Sequence, residues 1–185
     1  MTEKERAVKP VTQKRLQNIA LYYLGRYESS AENLRRLLER RILRAERKGA
    51  AVPPEARTWI ESIIKEMLRQ GYVDDGRFAR SLAEKYRKAG KSQNYIRQKL
   101  TLAGVAADVQ DEALSENTDD EEDAELNAAL LLVKKRKLGC FRREEDRALF
   151  RKKDLAVLAR AGFSYQTAVK ALGDSERGED EDVWD

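Results

Sequence analysis

The chain reads GYVDDGRFAR at residues 71–80. This stretch is the most informative about the fold, because it predicts a sharp corner between two helices. Gly71 follows an apolar helical stretch, and a residue in the left-handed conformation commonly ends a helix at such a position. Asp74 or Asp75 then offers a carboxylate oxygen to the free backbone amides that open the next helix. The structural motif of this corner and of the end of its repeat comprises Gly71, Tyr72, Asp74, Asp75, Phe78, Ala79 and Gly104.

The two adjacent carboxylates of the corner also invite a different interpretation, a magnesium site for phosphoryl chemistry. Capping accounts for Asp74 and Asp75 without further ligands, and the chain has no glycine-rich phosphate loop. It also has no histidine, which is the commonest general base and a member of the usual nucleophile arrangements. We therefore predict no catalytic residue, no metal and no cofactor.

Helical periodicity extends in both directions from the corner. Apolar residues recur at three- and four-residue spacing almost everywhere, whereas no stretch alternates like a strand bounded by turns. The helix before the corner carries an apolar stripe from Ile60 to Leu68, and the pair Pro53 and Pro54 suits its start. We predict about seven to nine helices and no sheet.

Two internal repeats are visible in the sequence. Residues 30–38 and 92–100 share a capping serine, an apolar residue four positions later, then an arginine and a leucine. Residues 100–114 and 158–172 carry matching apolar residues and glycines at identical offsets. Helical units that bury one face against their neighbours build solenoid-like arrays. We predict an all-α fold, an elongated, curved array of tandem three-helix repeats.

The repeats and the changes in composition predict five segments. They are a flexible N-terminus at 1–11, a first helical repeat at 12–52, a central three-helix repeat with the corner at 53–117, a third helical repeat at 118–172, and a disordered acidic tail at 173–185. The tail is assigned as disordered because a highly charged segment with few apolar residues cannot bury enough surface to order itself.

Charge is arranged in blocks along the chain. Residues 12–104 carry 21 Lys/Arg against 10 Asp/Glu, whereas residues 105–133 carry 10 Asp/Glu and no Lys/Arg. Residues 134–172 are basic again, with 12 Lys/Arg against 4 Asp/Glu. Blocks of like charge repel unless they are solvated or face an opposite charge, so two basic blocks indicate a polyanionic partner such as nucleic acid. The alternative is that these cations only form solvated helix faces.

Membrane and redox signals are missing from the sequence. No segment approaches the roughly 20 apolar residues that a membrane span requires, and the first ten residues are charged rather than signal-like. The single cysteine, Cys140, cannot form an internal disulfide and has no neighbouring zinc ligands. We expect a soluble, cytoplasmic, monomeric protein with no membrane contact and no redox role.

The corner and the segments around it resemble the RecX family. Its central signature is similar to residues 71–80, to the helix at 92–100 and to the segment at 102–105. Residues 22–36 and 158–165 resemble the first and third helical repeats of the same family, so the likeness covers roughly residues 12–172. It implies tandem three-helix repeats and a regulatory protein that binds the RecA recombinase filament, usually inhibiting strand exchange, ATP hydrolysis and coprotease activity in recombination and the SOS response.

The residues that we expect to contact the filament and its DNA phosphates are cations of the second helix and of the central repeat. They are Arg36, Arg40, Arg44, Arg47, Arg77, Arg80, Arg87, Lys88, Lys91, Arg97 and Lys99. Such contacts position a protein on DNA without reading its sequence, so the affinity should fall steeply with salt. The expected partners are the RecA filament and single-stranded DNA, with double-stranded DNA second. The dense acidic segment at 116–125 departs from the family pattern.

Other interpretations stay open. A stand-alone, sequence-nonspecific nucleic-acid-binding helical protein would bind equally well with or without the recombinase. A purely structural scaffold fits the repeats but leaves the basic blocks without a role. Tyr22, Tyr23 and Tyr27 could stack on bases, although aromatic residues at helical spacing more often belong to a core.

Overall fold

The computed structural model describes residues 10–115 and 121–173, and this part of the chain is all helical, without a strand. The helices are α1 (Gln13–Leu24), α2 (Ala31–Glu46), α3 (Ala56–Arg69), α4 (Asp75–Lys88), α5 (Gln93–Leu102), α6 (Ala107–Ser115), α7 (Glu121–Arg136), α8 (Glu144–Arg160) and α9 (Tyr165–Leu172), with a 3₁₀ turn at Gly139–Phe141. The all-α prediction is confirmed. The expected flexible N-terminus, up to residue 9, and the acidic tail from residue 174 lie outside the described residues.

The described residues form two compact units. The first comprises the described part of Met1–Phe78 together with Ala103–Val105, and the second comprises the described parts of Ala79–Leu102 and Ala106–Asp185. Within the described ranges, no helix combines the length and the apolar character that crossing a membrane would require.

Helices α1, α2 and α3 of the first unit share one core. Leu34 and Leu38 of α2 and Ile60 and Met67 of α3 are fully buried in it. Because α3 packs on α1 and α2, it belongs with them, whereas the division based on the sequence had placed it in the central repeat from residue 53. An apolar stripe shows that a helix is buried on one side but not which neighbours bury it.

The corner at residues 71–80 has the predicted capping contacts. Gly71 has a φ of +72°, the left-handed conformation expected at the end of α3. An oxygen of Asp74 accepts a hydrogen bond from the backbone amide of Arg77 at 2.9 Å, so Asp74 caps its own helix α4. An oxygen of Asp75 accepts from the amide of Ala31 at 2.8 Å, so Asp75 caps the distant helix α2. The predicted cap of the next helix is confirmed at Asp74, whereas Asp75 caps a helix that the sequence did not indicate.

The two serines of the internal repeat make the same pair of hydrogen bonds. The hydroxyl oxygen of each accepts from the amide three residues later, at 3.1 Å for Ser30 and 3.2 Å for Ser92. Each hydroxyl also donates to a backbone carbonyl far along the chain, Ser30 to Ala103 at 2.5 Å and Ser92 to Ala161 at 2.6 Å. The repeat seen in the sequence is therefore a repeat of tertiary contacts.

A carboxylate from another helix completes each of these two helix starts. Asp75 accepts from the amide of Ala31, and Glu125 accepts from the amide of Gln93 at the same distance of 2.8 Å. A carboxylate at a helix N-terminus satisfies a free amide and interacts favourably with the helix dipole. Glu125, at the end of the acidic segment that departs from the family pattern, thus caps α5.

Helices α7, α8 and α9 share a second core, which includes Val133, Leu155, Leu158 and Phe163.

A buried ion pair fixes the turn before α8. Asp154 is only 1% exposed, and its carboxylate accepts two hydrogen bonds of 2.7 Å from the guanidinium of Arg142 and one of 3.0 Å from the amide of Gly139. A buried charge of this kind is tolerated because it is paired and fully hydrogen-bonded.

Candidate nucleic-acid interface

The outer face of α2 carries a row of arginines in the first unit. Arg40, Arg44 and Arg47 are exposed, since α2 turns Leu34, Leu38 and Ile42 into the core on its other side. Among the side chains that the structure describes, no carboxylate forms an ion pair with these three arginines. Their charge is therefore available to an external anion. We call Arg40, Arg44 and Arg47 the α2 row.

Arg36, the fourth predicted member, differs from the α2 row because it is engaged within the protein. Its Nε donates to Glu32 at 2.8 Å, and Glu32 also pairs with Arg35. Arg35 in turn donates to Glu61 of α3 at 2.8 Å. Hydrogen bonds from the Arg35 guanidinium hold the pKa of Glu61 below its usual value. This network connects α2 to α3. Arg36 therefore takes part in an internal ion-pair network, and its contact with the filament stays a prediction.

A groove between α1 and α2 adds three cations that the sequence-based prediction missed, Arg15, Arg41 and Lys48, to the predicted Arg44. Its volume is about 330 Å³, and Leu16, Ile19 and Ala45 lie at its apolar floor. Its basic lining consists of Arg15, Arg41, Arg44 and Lys48. Arg41, Arg44 and Lys48 are spaced by three and four residues, so helical spacing alone could have grouped them.

Arg77, another predicted contact, stabilises the corner. Its guanidinium donates to Glu28 at 3.1 Å and to the carbonyl oxygen of Gly71 at 3.2 Å. Both partners precede α4 in the chain, so Arg77 connects the start of that helix to the segments before it. Its side chain is still about half exposed, at 49%, and retains room for an outside contact.

Two predicted contacts in the second unit form ion pairs on the surface. Lys88 pairs with Glu84 at 2.5 Å along α4, and Arg97 of α5 pairs with Asp111 of α6 at 2.5 Å. Exposed pairs of this kind are worth about 0–1 kcal/mol, so a phosphate could compete for either cation. Arg80 is half-buried and has interactions within the protein.

Arg87 and Glu125 belong to the inner side of this unit. Arg87 donates to the carbonyl oxygen of Leu114 at the end of α6. Burial raises the pKa of Glu125, although its hydrogen bond from the Gln93 amide and the charge of Arg87 act in the opposite direction. Arg87 is therefore half-buried and hydrogen-bonded within the protein, and its contact with the filament stays a prediction.

Lys91 and Lys99, the remaining predicted contacts, flank an aromatic ring. Their ammonium nitrogens lie 4.9 and 5.1 Å from the centre of the Tyr95 ring. Tyr86 packs edge-on against the same ring, with the ring centres 5.3 Å apart. Cation–π contacts of this kind hold a lysine in place while leaving its charge unneutralised.

The three N-terminal tyrosines divide between core and surface. Tyr23 packs against the first core, as a helical aromatic residue usually does. Tyr22 and Tyr27 are 64% and 59% exposed, and Arg26 lies over the Tyr22 ring at 4.3 Å. Arg26 thus occupies one face of the Tyr22 ring, and the Tyr27 ring lies 5.2 Å from that of Tyr23, so stacking on bases stays a prediction for both.

The described residues contain no group of three or more His, Cys, Asp or Glu side chains placed to hold a metal ion. The two carboxylates that had suggested such a site, Asp74 and Asp75, accept hydrogen bonds from amides of two different helices.

Comparison with known proteins gives a consistent set of relatives. A family model described as "RecX, second three-helix domain" matches residues 74–114, which closely coincide with α4, α5 and α6. The regulatory protein RecX of Myxococcus xanthus is 38% identical over 162 residues, which cover 85% of this chain and 83% of that protein. The regulatory protein RecX of Agrobacterium fabrum is 32% identical over 109 residues, covering 58% of this chain and 56% of that protein.

A solved structure has the same fold. The crystal structure of RecX from Lactobacillus salivarius superposes with a TM-score of 0.63 and covers 87% of this chain and 94% of that one. The identity between the two sequences is 17%, so this match concerns the fold alone.

Proposed function

The chain belongs to the RecX family of regulatory proteins, and from this premise we propose that it binds the RecA recombinase filament on DNA and inhibits it. The activities that it would restrain are strand exchange, ATP hydrolysis and coprotease activity, in recombination and the SOS response. Its site of action would be the cytoplasm, where the filament assembles. The protein would act by binding and would carry out no chemistry of its own.

The observation that carries this proposal is the α2 row. Arg40, Arg44 and Arg47 present three positive charges along one exposed helix face, and no described carboxylate neutralises them. A continuous polyanion such as a DNA backbone can meet successive charges of such a row. Solvated helix faces, which usually mix charges of both signs, are the alternative, and exposed Glu39 and Glu46 lie on the same helix. Neither carboxylate forms an ion pair with the α2 row.

The mechanism that follows is electrostatic and geometric. The α2 row of the first unit and Lys91 and Lys99 of the second would contact phosphates, while the rest of the surface meets recombinase protomers. Binding several protomers at once would lock the filament and slow the conformational changes that ATP hydrolysis requires. Because phosphate contacts read no bases, the effect should not depend on DNA sequence.

The test is the DNA-dependent ATPase of the cognate RecA on single-stranded DNA, titrated with this protein. We expect suppression at fewer copies than recombinase protomers, because each bound molecule would hold several of them. Binding to the bare DNA is measured beside it and should be weak at physiological salt. An unchanged ATPase together with tight binding to bare DNA would overturn the proposal in favour of a stand-alone nucleic-acid-binding protein.

A nuclease assay with magnesium serves as the control for an enzyme. We expect intact DNA, because Asp74 and Asp75 are occupied as helix caps. Metal-dependent cleavage that disappears when both aspartates are changed to asparagine would contradict the role of a binding protein.

A further inference from the structure

A second basic cleft lies in the second unit, where Lys91 and Tyr95 meet two arginines that the sequence-based set of contacts does not include. Its volume is about 370 Å³. Four segments line it: the loop after α4 with Lys91, the start of α5 with Tyr95, the end of α7 with Arg136, and the end of α8 with Arg160. Leu132 and Val157 supply apolar surface, and no acidic residue is among those that line it.

The two arginines of this cleft are available to a ligand. Arg136 and Arg160 are both exposed, and no carboxylate among the described side chains pairs with either. They come from different helices, and they converge on one cleft only because α7 and α8 end on the same side of their shared core. Three cations around one concave surface, with no acid among them, favour the binding of an anion.

Tyr95 fixes the third cation. The Lys91 ammonium lies 4.9 Å from the centre of the Tyr95 ring, and Tyr86 supports that ring from its edge. Contact with the ring limits the freedom of a long, flexible side chain without cancelling its charge. Lys91 therefore loses less conformational entropy when it meets an anion than a free lysine would.

We propose that the cleft lined by Lys91, Arg136 and Arg160 binds the phosphodiester backbone of nucleic acid. The proposal rests on the proposed function, which brings this chain to DNA, and adds Arg136 and Arg160 to the phosphate contact already proposed for Lys91. Exposed cations around an open cleft suit successive phosphates of a strand that passes across the surface. An enclosed small ligand would call for buried polar partners, and the cleft offers exposed arginines instead.

A purely structural role predicts something different for the same residues. Arg136 ends α7 and Arg160 ends α8, where a cation interacts favourably with the helix dipole. If that were their whole role, replacing them would lower the melting temperature and leave the salt dependence of DNA binding unchanged. The slope of affinity against salt therefore separates binding from stability.

The experiment measures binding of a fluorescent 30-nucleotide oligodeoxythymidine by anisotropy between about 50 and 200 mM salt. The variant is Arg136→Gln with Arg160→Gln. Each phosphate contact on single-stranded DNA contributes a slope of about 0.7 in log affinity against log salt, so losing two contacts should reduce the slope by about 1.4. Affinity at 0.1 M salt should fall on the order of tenfold.

The matched control is Lys135→Gln with Lys152→Gln. It removes one exposed cation from each of the same two helices, and neither lysine lines the cleft. We expect the control to keep most of the wild-type slope. An equal loss in both double variants, or an unchanged slope in the Arg136 and Arg160 variant, would overturn the site.

The same variant in the ATPase titration distinguishes this site from the proposed function. A variant that binds oligodeoxythymidine like the wild type but no longer suppresses the recombinase would overturn the phosphate site and assign the cleft to protein carboxylates. Failure of the proposed function has another signature, because the wild type itself would then leave the ATPase unchanged. In that case a reduced salt slope in the variant would still support the phosphate site.

Discussion

Gly104 follows α5 with a φ of +73°, a backbone conformation that other residues adopt only at a cost. A Cβ at this position would also collide with the side chain of Glu32 in α2. The equivalent residue of the next repeat, Gly162, has a φ of +89°, and a Cβ there would lie 2.7 Å from the hydroxyl of Ser92. Each glycine thus lets its own backbone lie closer to a distant side chain than a residue with a Cβ could.

We expect Gly104→Ala to destabilise the protein by on the order of 2 to 3 kcal/mol, because strain at positive φ adds to the collision with Glu32. Gly71→Ala is the matched control, since Gly71 has a φ of +72° but a Cβ would meet nothing within 4 Å. It should cost only about 1 kcal/mol. Urea unfolding measures both. Equal losses of unfolding free energy in the two variants would mean that the collision with Glu32 adds nothing to the cost of Gly104→Ala.

Glu125 gives the stability of the protein a pH dependence of its own. Burial raises its pKa in the folded state above its value in the unfolded chain. The contribution of such a group to stability is fully present below the unfolded pKa and is lost as the pH rises through the folded pKa. The contribution of Glu125 to stability is therefore smaller above the folded pKa than below the unfolded pKa, although the side chain caps α5.

We expect Glu125→Gln to stabilise the protein relative to the wild type more at pH 7 than at pH 4, because an amide oxygen can still accept from the Gln93 amide. Glu84→Gln is the control of opposite sign. The hydrogen bond from Lys88 lowers the pKa of Glu84, so that variant should lose more stability at pH 7 than at pH 4. The free energy of unfolding of each variant, measured at pH 4 and pH 7, tests both expectations. If the stability of both variants relative to the wild type changed in the same direction between the two pH values, the opposite pKa shifts of Glu125 and Glu84 would be contradicted.

At the scale of elements, α2 combines three tasks on one helix. Leu34, Leu38 and Ile42 bury one face, Glu32 and Arg35 connect to neighbouring residues, and the α2 row occupies the exposed side. Sixteen residues are long enough for each task to have its own face, since a helix repeats every 3.6 residues. Substitutions in the α2 row should therefore leave the packing of the helix intact.

We expect Arg40→Gln with Arg44→Gln to weaken binding to the RecA–DNA filament on the order of tenfold, because two phosphate contacts are lost. The helical signal in circular dichroism should not change, since both side chains are exposed. Arg57→Gln with Lys65→Gln on α3 removes the same charge from the same unit and serves as the control. Equal weakening by the two double variants would show that only net charge matters.

At the scale of the whole molecule, the charge blocks and the repeats were readable from the sequence. The all-α class, the capping corner and the serine repeat follow from local signals, namely helical spacing, glycine and aspartate at helix ends, and matched offsets. The family was identified from a resemblance of motifs and not from these signals. The elongated, curved shape of the array and the full set of binding residues stay predictions. The family match at residues 74–114 covers α4, α5 and α6 and leaves out α3, which the sequence had assigned to the central repeat at 53–117.

Helical periodicity, several helix ends and the apolar faces could be predicted from the sequence, because these depend on neighbours within a few positions. The long-range partners of each helix became visible only in the folded chain. The tertiary structure placed α3 with α1 and α2, turned Asp75 and Glu125 into caps of distant helices, and buried Asp154 against Arg142. It also brought Arg136 and Arg160, 24 residues apart in the chain, to one cleft. Charge and helical spacing in the sequence indicate that a side chain is basic and exposed. Whether two such side chains from different helices lie at the same cleft depends on how the helices pack.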